Sequence, residues 1–232
     1  MQICYLAFFA NPADPGLRIA EAELAALRAC LAGLKGLDRG HLYTPSVASD
    51  RYNDDGAPPV FGFQLYFDDI ADMEAALREG GALQSFVTGG GLASLDGTEA
   101  SHQAMLARPF AVPDPQPPVP GACSYLVHYP GPAEDLSAWL GHYVAHHPPL
   151  MVRFPGLRQL EILTRLDWID AMPWPRVAHM QRNRILFDSP DALTAALQSP
   201  VREEMRGDYN VFPAYEGGNK HFPMLTEVVR PR

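Results

Sequence analysis

Short apolar stretches alternate with longer amphipathic ones along the chain, and the alternation occurs twice. Residues 3–9 and 123–129 are apolar and rich in aromatic side chains, as expected for buried strands. Each is followed by a turn that contains proline and then by a segment of helical periodicity, residues 20–34 and 134–147. The pattern therefore predicts a strand and then a helix at the start of each half.

Each half continues with two more apolar strands, a second helix and a last strand. The helix begins near Asp68 in the first half and at Ser189 in the second, because both residue types favour helix N-termini. The order in each half is βαββαβ, the split βαβ arrangement of ferredoxin-like modules. The further predicted strands are residues 41–44, 60–67, 104–112, 159–164, 180–187 and 224–229.

A shift of 120 residues places the two halves in register. Residues 67–77 fall without a gap on residues 187–197, and both segments begin with Phe-Asp. Further matches keep the same order at nearly the same offset, which indicates a tandem repeat. A proline-rich segment, residues 113–121, is typical of an extended linker. We predict a first module at 1–112 and a second at 122–232.

One such module covers only one face of its sheet with two helices, so the other face needs a partner. Two fused copies supply that partner to each other. The predicted fold class is α+β, with two tandem ferredoxin-like modules packed sheet against sheet as a pseudo-dimeric α+β barrel.

Composition and charge exclude several classes of function. The 232 residues are 47% hydrophobic and 19% charged, as in folded globular proteins. The net charge of -9 repels phosphate backbones, so nucleic acid is not an expected partner. No apolar run reaches the roughly 20 residues of a membrane span, and the start lacks the basic residues of a secretory signal. We expect a cytoplasmic protein that does not enter membranes.

The sequence offers little support for metal or nucleotide chemistry. Cys4, Cys30 and Cys123 form no CxxC pair and are expected to be small buried residues. The patterns GxGxxG, Walker A, GxSxG and EF-hand are absent from the sequence, which argues against nucleotide-dependent and serine-hydrolase activity. We predict neither a metal ion nor an organic cofactor.

Histidines are concentrated in the second half of the chain. Imidazole titrates near neutrality and both accepts and donates protons, so such clustering favours general acid–base chemistry. Helical spacing places His147 on the same face as Leu136 and Tyr143, toward the sheet. The alternative is that His147 caps the C-terminus of its helix. The histidines of the second half are His128, His142, His146, His147, His179 and His221.

The sequence around His147 resembles a known family. Residues 143–150 read Tyr-Val-Ala-His-His-Pro-Pro-Leu, residues 155–157 Pro-Gly-Leu and residues 187–189 Phe-Asp-Ser. These runs are similar to the His-x-Pro-Leu, Pro-Gly-Leu and Phe-Asp-Ser signatures of EthD-like proteins, in the dimeric α+β-barrel superfamily. His147 matches the motif histidine, whereas Leu27 stands at the equivalent position of the first module. The resemblance thus favours a site in the second module only.

What the resemblance implies about activity is broad. Relatives of this fold include proteins associated with breakdown of ethers and aromatic compounds, lactone isomerases, polyketide cyclases and decarboxylases, cofactor-free oxygenases and haem proteins. Fold alone does not choose among these chemistries.

We predict a catalytic group in which His147 acts as base or acid and a tyrosine or another histidine stabilises an enolate. Its members are His147, His146, Tyr129 and Tyr143. The predicted substrate-binding residues are His128, His142, Arg184, Asn183, Trp168 and Tyr209. Structural roles are the alternatives: packing for Tyr129, a sheet edge for Arg184 and Trp168, and solvated positions for His142 and His146. Residues 50–56 are expected to form a solvated hairpin loop.

The sequence therefore predicts a cofactor-independent enzyme for a small aromatic or polyketide-like organic acid of a catabolic pathway. Isomerisation, cyclisation, decarboxylation and elimination all need these groups. A second hypothesis is a non-catalytic module that binds an apolar small molecule or haem. The sequence leaves open whether the fused pair forms a homodimer.

Overall fold

Eight strands form the centre of the protein in its computed structural model. The structure describes residues 2–231. The first copy contributes β1 (Gln2–Ala10), β2 (Leu37–Pro45), β3 (Phe61–Phe67) and β4 (Glu99–Phe110). The second contributes β5 (Cys123–Tyr129), β6 (Gln159–Arg165), β7 (Gln181–Phe187) and β8 (Lys220–Val229). They close into one barrel in the order β1-β3-β2-β8-β5-β7-β6-β4, with antiparallel neighbours throughout.

The barrel consists of two four-stranded sheets of the same internal order. In each copy the last strand pairs with the first, the first with the third, and the third with the second. The copies join where β2 pairs with β8 and where β4 pairs with β6, so both junctions combine a second strand with a last strand. The predicted pseudo-dimeric α+β barrel is confirmed. Residues 113–121, the predicted linker, contain neither helix nor strand.

Helices lie outside the barrel wall and bury two of the three apolar clusters between themselves and the strands. The third cluster fills the barrel interior. The α-helices are α1 (Glu21–Ala32), α2 (Ile70–Leu77), α3 (Ala82–Phe86), α4 (Leu136–Met151), α5 (Pro190–Leu197) and α6 (Val201–Tyr209). Over residues 2–231, none of the helices combines the length and apolar character that crossing a membrane requires.

Helix boundaries differ from the prediction at several points. Asp69, one residue after the predicted start, caps α2 by accepting a hydrogen bond from the amide of Ala71 at 2.8 Å. Helix α4 continues through Pro148 and Pro149 to Met151, so His147 lies inside the helix and does not cap its C-terminus. Two helices, α3 and α6, were not predicted. Because α6 follows Pro200, its segment resembles a loop in the sequence.

Three strands begin at least four residues earlier than predicted, namely β2, β4 and β8. Their early residues are paired with neighbouring strands: Glu99 lies opposite Ala10, and Lys220 lies opposite His128. Hydrogen bonding to a neighbour therefore extends these strands into sequence whose own pattern is polar.

The loop between the second and third strands of each copy crosses to the other copy. We name residues 46–60 the first crossing loop and residues 166–180 the second crossing loop. The amide of Ser49 donates to Thr194 Oγ1 of the second copy at 3.2 Å, and the amide of Ala171 donates to the carbonyl of Leu77 of the first copy at 2.9 Å. Five of residues 50–56 are exposed, as expected for a solvated loop between paired strands, but Asp50 departs from the expectation because its side chain pairs with Arg202 and Tyr125 of the second copy.

Candidate functional site

The second copy carries a narrow cleft on the outer side of the barrel wall. Strands β5 and β7 form its floor, α4 and α6 its sides, and the first crossing loop reaches over one end. The cleft is narrow, with a cavity volume of about 30 Å³. A ligand larger than a few water molecules therefore requires the lining side chains to move on entry.

His147 and Asp208 form a hydrogen-bonded pair at the side of this cleft. The His147 side chain projects from α4 toward the sheet, as its helical spacing predicted, and the residue is 5% exposed. Its Nδ1 lies 2.7 Å from Oδ2 of Asp208 in the last turn of α6. The hydrogen bond from His147 lowers the pKa of Asp208, so the carboxylate accepts and Nδ1 donates. The other ring nitrogen, Nε2, then carries the lone pair and is available to a ligand.

Two opposing influences set the protonation of His147. Burial lowers its pKa below the ordinary value of 6.5, whereas the hydrogen bond and the charge of Asp208 raise it. Burial is the larger influence. The imidazole is therefore neutral at pH 7, which is the form that accepts a proton.

Two tyrosines and an amide occupy the floor beside His147. Tyr129 and Asn183 line the cleft, and Nδ2 of Asn183 donates to the hydroxyl of Tyr143 at 2.5 Å. The rings of Tyr129 and Tyr143 pack edge to face with centroids 5.5 Å apart. Burial raises the pKa of both phenols, so they stay protonated and serve as hydrogen-bond donors. Tyr209 of α6 lines the opposite side.

His142 and His146 pack against each other outside the cleft, with ring centroids 4.3 Å apart and ring planes tilted by 32°. His146 is exposed, and its Nδ1 lies 2.8 Å from the carbonyl of His142. Nε2 of His142 lies 3.6 Å from Asp208 Oδ1, so His142 contacts the carboxylate that also holds His147. Across residues 2–231, no group of three or more His, Cys, Asp or Glu side chains is arranged to hold a metal ion.

The first crossing loop supplies buried charge to the wall. Asp50 accepts from both Nε and Nη2 of Arg202 at 3.1 and 3.0 Å and from the hydroxyl of Tyr125 at 2.7 Å. Asp55 lies 2.8 Å from Nδ1 of His221, a residue that also lines the cleft. These carboxylates were missed because they lie in a polar run, residues 50–55, and nothing local in the sequence indicates that the loop crosses to the other copy.

Strand alternation separates two of the predicted ligand residues from His147. His128 and Arg184 point into the barrel interior, whereas their neighbours Tyr129 and Asn183 point toward the helices. Nε of Arg184 donates to Glu161 Oε2 at 3.0 Å, and the residue is fully buried. His128 and Arg184 therefore lie on the opposite face of the wall from the cleft.

Trp168 also lies away from the cleft, because the second crossing loop packs against the first copy. The rings of Trp168 and His102 are 6.0 Å apart, and Trp174 packs edge to face on Phe9 at 5.0 Å. His102 Nδ1 is bonded to the hydroxyl of Tyr5 at 2.9 Å. The loop thus fills the place in the first copy that corresponds to the cleft of the second.

The structure brings together part of the predicted site. His147, Tyr129, Asn183 and Tyr209 meet at the cleft, and Tyr143 supports Asn183. His146, His128, Arg184 and Trp168 lie elsewhere. Asp208, Arg202 and Arg206 were not predicted, and the signal for them was the helical spacing of Val201, Met205 and Tyr209, which makes α6 amphipathic.

No family model and no curated protein matches this chain. Solved structures do match it. An anthrone oxidase-like protein is 14% identical with a TM-score of 0.61, and the match covers 98% of this chain and 92% of that one. A proposed monooxygenase from Fusobacterium nucleatum is 6% identical, with a TM-score of 0.58 and coverage of 99% and 94%. A variant of chlorite dismutase from Candidatus Nitrospira defluvii is 8% identical, with a TM-score of 0.52 and coverage of 96% and 90%.

The chain has the dimeric α+β-barrel fold. At these identities the likeness shows the fold alone, and it is the fold that the motifs around His147 indicated. The dimeric α+β barrel formed here from a single chain supports many reactions, so the chemistry has to be argued from the cleft.

Proposed function

We propose that the protein is an enzyme that removes a proton from a small organic acid bound in the cleft, with His147 as the general base. The observation that carries the proposal is the pair of His147 with Asp208. The carboxylate fixes the tautomer with hydrogen on Nδ1, and it stabilises the imidazolium that forms when Nε2 accepts a proton.

The proposed reaction begins at a carbon next to a carbonyl group. Nε2 of His147 takes the proton, the C–H bond breaks, and its electron pair moves onto the carbonyl oxygen as an enolate. The protonated phenol of Tyr129 and the amide of Asn183 are hydrogen-bond donors on the cleft floor that stabilise this oxygen. Return of the proton to a different carbon gives isomerisation, and loss of a leaving group from the enolate gives elimination. Neither outcome requires a further reactant.

Aromatic side chains favour an aromatic or polyketide-like substrate. Tyr129, Phe154 and Tyr209 line the cleft together with Met151 and Met205. A narrow space between aromatic rings and thioethers binds a planar apolar body and leaves its polar substituents to the few polar groups present.

Oxidation of an anthrone-like substrate is a second candidate, favoured by the anthrone oxidase-like neighbour that covers most of both chains. Deprotonation by His147 again comes first. Molecular oxygen then oxidises the carbanion, with one oxygen atom entering the product and the other leaving as water. An oxygen electrode distinguishes the two candidates, because isomerisation and elimination consume no oxygen.

Haem fits the cleft poorly. It needs an axial ligand and room for a planar macrocycle. His147 offers Nε2 as a ligand, but a macrocycle much larger than the proposed fused-ring acids would need a correspondingly larger opening of this narrow cleft. No step of the proposed reaction involves haem, and we expect the absorption spectrum of the purified protein to lack a Soret band.

Replacement of His147 tests the proposal. We expect His147→Asn to slow proton removal at least ~100-fold, the lower end of the contribution of general acid–base catalysis. The measurement is deuterium uptake from D₂O at the carbon between the two carbonyls of aromatic β-keto acids, followed by NMR above the uncatalysed rate.

The neighbouring histidine provides the comparison. His146→Asn alters an exposed side chain outside the cleft and is expected to keep the wild-type rate. Circular dichroism and thermal melting establish that both variants are folded. Wild-type exchange in folded His147→Asn contradicts the proposal.

A further inference from the structure

The ionisable nitrogen-containing side chains that line the cleft are all basic groups, and two of them are arginines. The lining includes Arg202, Arg206, His147 and His221 but neither an aspartate nor a glutamate. Asp208 and Asp55 lie behind the two imidazoles to which they are bonded. In a chain with a net charge of -9, a surface without carboxylates is unexpected, and it favours an anionic ligand.

Of the two arginines that line the cleft, Arg202 is already paired with a carboxylate. Arg202 is buried and makes two hydrogen bonds to Asp50. Arg206, one helical turn later on α6, has no carboxylate within salt-bridge distance among residues 2–231. Nearby arginines on the same side of the molecule are paired, Arg51 with Glu203 and Arg153 with Glu204.

Aromatic rings hold the Arg206 guanidinium at the cleft wall. Its central carbon lies 5.1 Å from the ring centroid of Tyr209 and 5.6 Å from that of Tyr52. These cation–π contacts hold the guanidinium near both rings and leave the N–H groups at its edges available to a ligand. A planar fork of free donors at the edge of a narrow cleft matches the two oxygens of a carboxylate.

We propose that Arg206 binds the carboxylate of the ligand in bidentate fashion and that the cleft selects flat aromatic carboxylates over their neutral counterparts. This inference rests on the proposed function for its site, and it goes further by naming the charged group of the substrate and the residue that recognises it. Arg206 is a positioning residue, since proton transfer is performed by His147.

Two probes of the same shape test the inference. 2-Naphthoate carries the carboxylate, and 2-naphthamide replaces it with a neutral group of nearly equal size. We expect the wild-type protein to bind 2-naphthoate at least ~10-fold more tightly than the amide by isothermal titration calorimetry, the preference given by a charge-assisted bidentate contact. In Arg206→Gln we expect this preference to vanish through weaker binding of the carboxylate.

Two further variants make the result specific. Arg153→Gln removes an exposed, paired arginine outside the cleft and should keep the preference. Arg206→Lys keeps the charge but loses the planar fork, and we expect it to retain only part of the preference. If Arg206→Gln is unfolded by circular dichroism, the lysine variant decides: an undiminished preference there contradicts the inference.

The inference is overturned if the wild type shows no preference for the carboxylate or if folded Arg206→Gln retains it. Its failure is distinguishable from failure of the proposed function. His147→Asn replaces an imidazole that is neutral at pH 7 and is expected to keep the preference for 2-naphthoate over 2-naphthamide, so loss of proton transfer and loss of carboxylate recognition are measured in separate variants with separate readouts.

Discussion

At the scale of single residues, the candidate site is governed by what surrounds one imidazole. His147 lies among apolar and aromatic side chains, which disfavour its charged form, and it contacts one carboxylate, which favours that form. The balance keeps the ring neutral and oriented. A base of this kind works at neutral pH without the whole ring being exposed to water.

The contribution of Asp208 can be measured directly. We expect Asp208→Asn to lower the pKa of His147 further, because the hydrogen bond and the negative charge that favour the imidazolium are both lost. NMR titration of the His147 ring protons measures the shift. A pKa that rises in the variant, or stays unchanged, contradicts the assigned pair.

The second ring nitrogen provides an independent check. With hydrogen on Nδ1 in the wild type, the ¹⁵N shifts of the His147 ring are expected to report the Nδ1–H tautomer above the pKa. In Asp208→Asn the asparagine amide is able to present either an acceptor or a donor, so we expect a mixture of tautomers there.

At the scale of elements, the first crossing loop is as much a part of the site as the helix that carries His147. It reaches the second copy through a buried ion pair, in which the side chains of Asp50 and Arg202 are 3% and 9% exposed. Removal of one partner of such a pair leaves an uncompensated charge away from water.

We therefore expect Asp50→Asn to lower the free energy of unfolding by about 3 kcal/mol, the lower end for a broken buried pair. Urea denaturation measures the loss. Glu204→Gln breaks the exposed pair with Arg153 and should cost less than about 1 kcal/mol. Asp50→Asn combined with Arg202→Met removes both charges and should recover part of the loss. Equal effects of Asp50→Asn and Glu204→Gln contradict the assigned role of the loop.

The elements differ in how far the sequence predicts them. Strands such as β3 and β7, and the inward face of α4 that carries His147, follow from local periodicity and were predicted. The crossing loops were not predicted, since Asp50 meets Arg202 only after the barrel has closed. The side of the barrel wall on which a strand residue lies was not predicted either. Tyr129 and His128 are adjacent in the sequence, and only the position of the helices decides which of them faces the cleft.

At the scale of the whole molecule, four buried histidines and one half-buried histidine make stability depend on pH. Burial lowers the pKa of each below 6.5, in the case of His179 to about 3. The unfolded chain binds these protons near pH 6.5 and the folded chain only at lower pH, so stability is full well above pH 6.5 and falls as the pH decreases through that value. The group comprises His41, His102, His128, His147 and His179.

We expect the free energy of unfolding to fall between about pH 7 and about pH 5, with each such histidine adding a slope of up to about 1.4 kcal/mol per pH unit. Urea denaturation at a series of pH values measures the slope. His179→Asn removes one of the groups that bind a proton on unfolding, so it should reduce the slope of the free energy of unfolding against pH. Carboxylates whose pKa is lowered in the folded protein, such as Glu161, reduce stability only when the pH falls below their ordinary pKa of 4.5. A free energy that is constant from pH 7 to pH 5 contradicts this account.

The two crossing loops are related by the repeat, yet one walls a cleft and the other fills the corresponding space. In a barrel built from two identical chains, every loop substitution would alter both sites at once. Fusion removes that constraint, because each loop is encoded separately and serves the opposite copy. The two crossing loops can therefore be redesigned independently. Substitutions in residues 46–60 would reshape the open cleft of the second copy. Replacing the tryptophans of residues 166–180 with small residues would create a cavity in the first copy and leave the other loop unchanged.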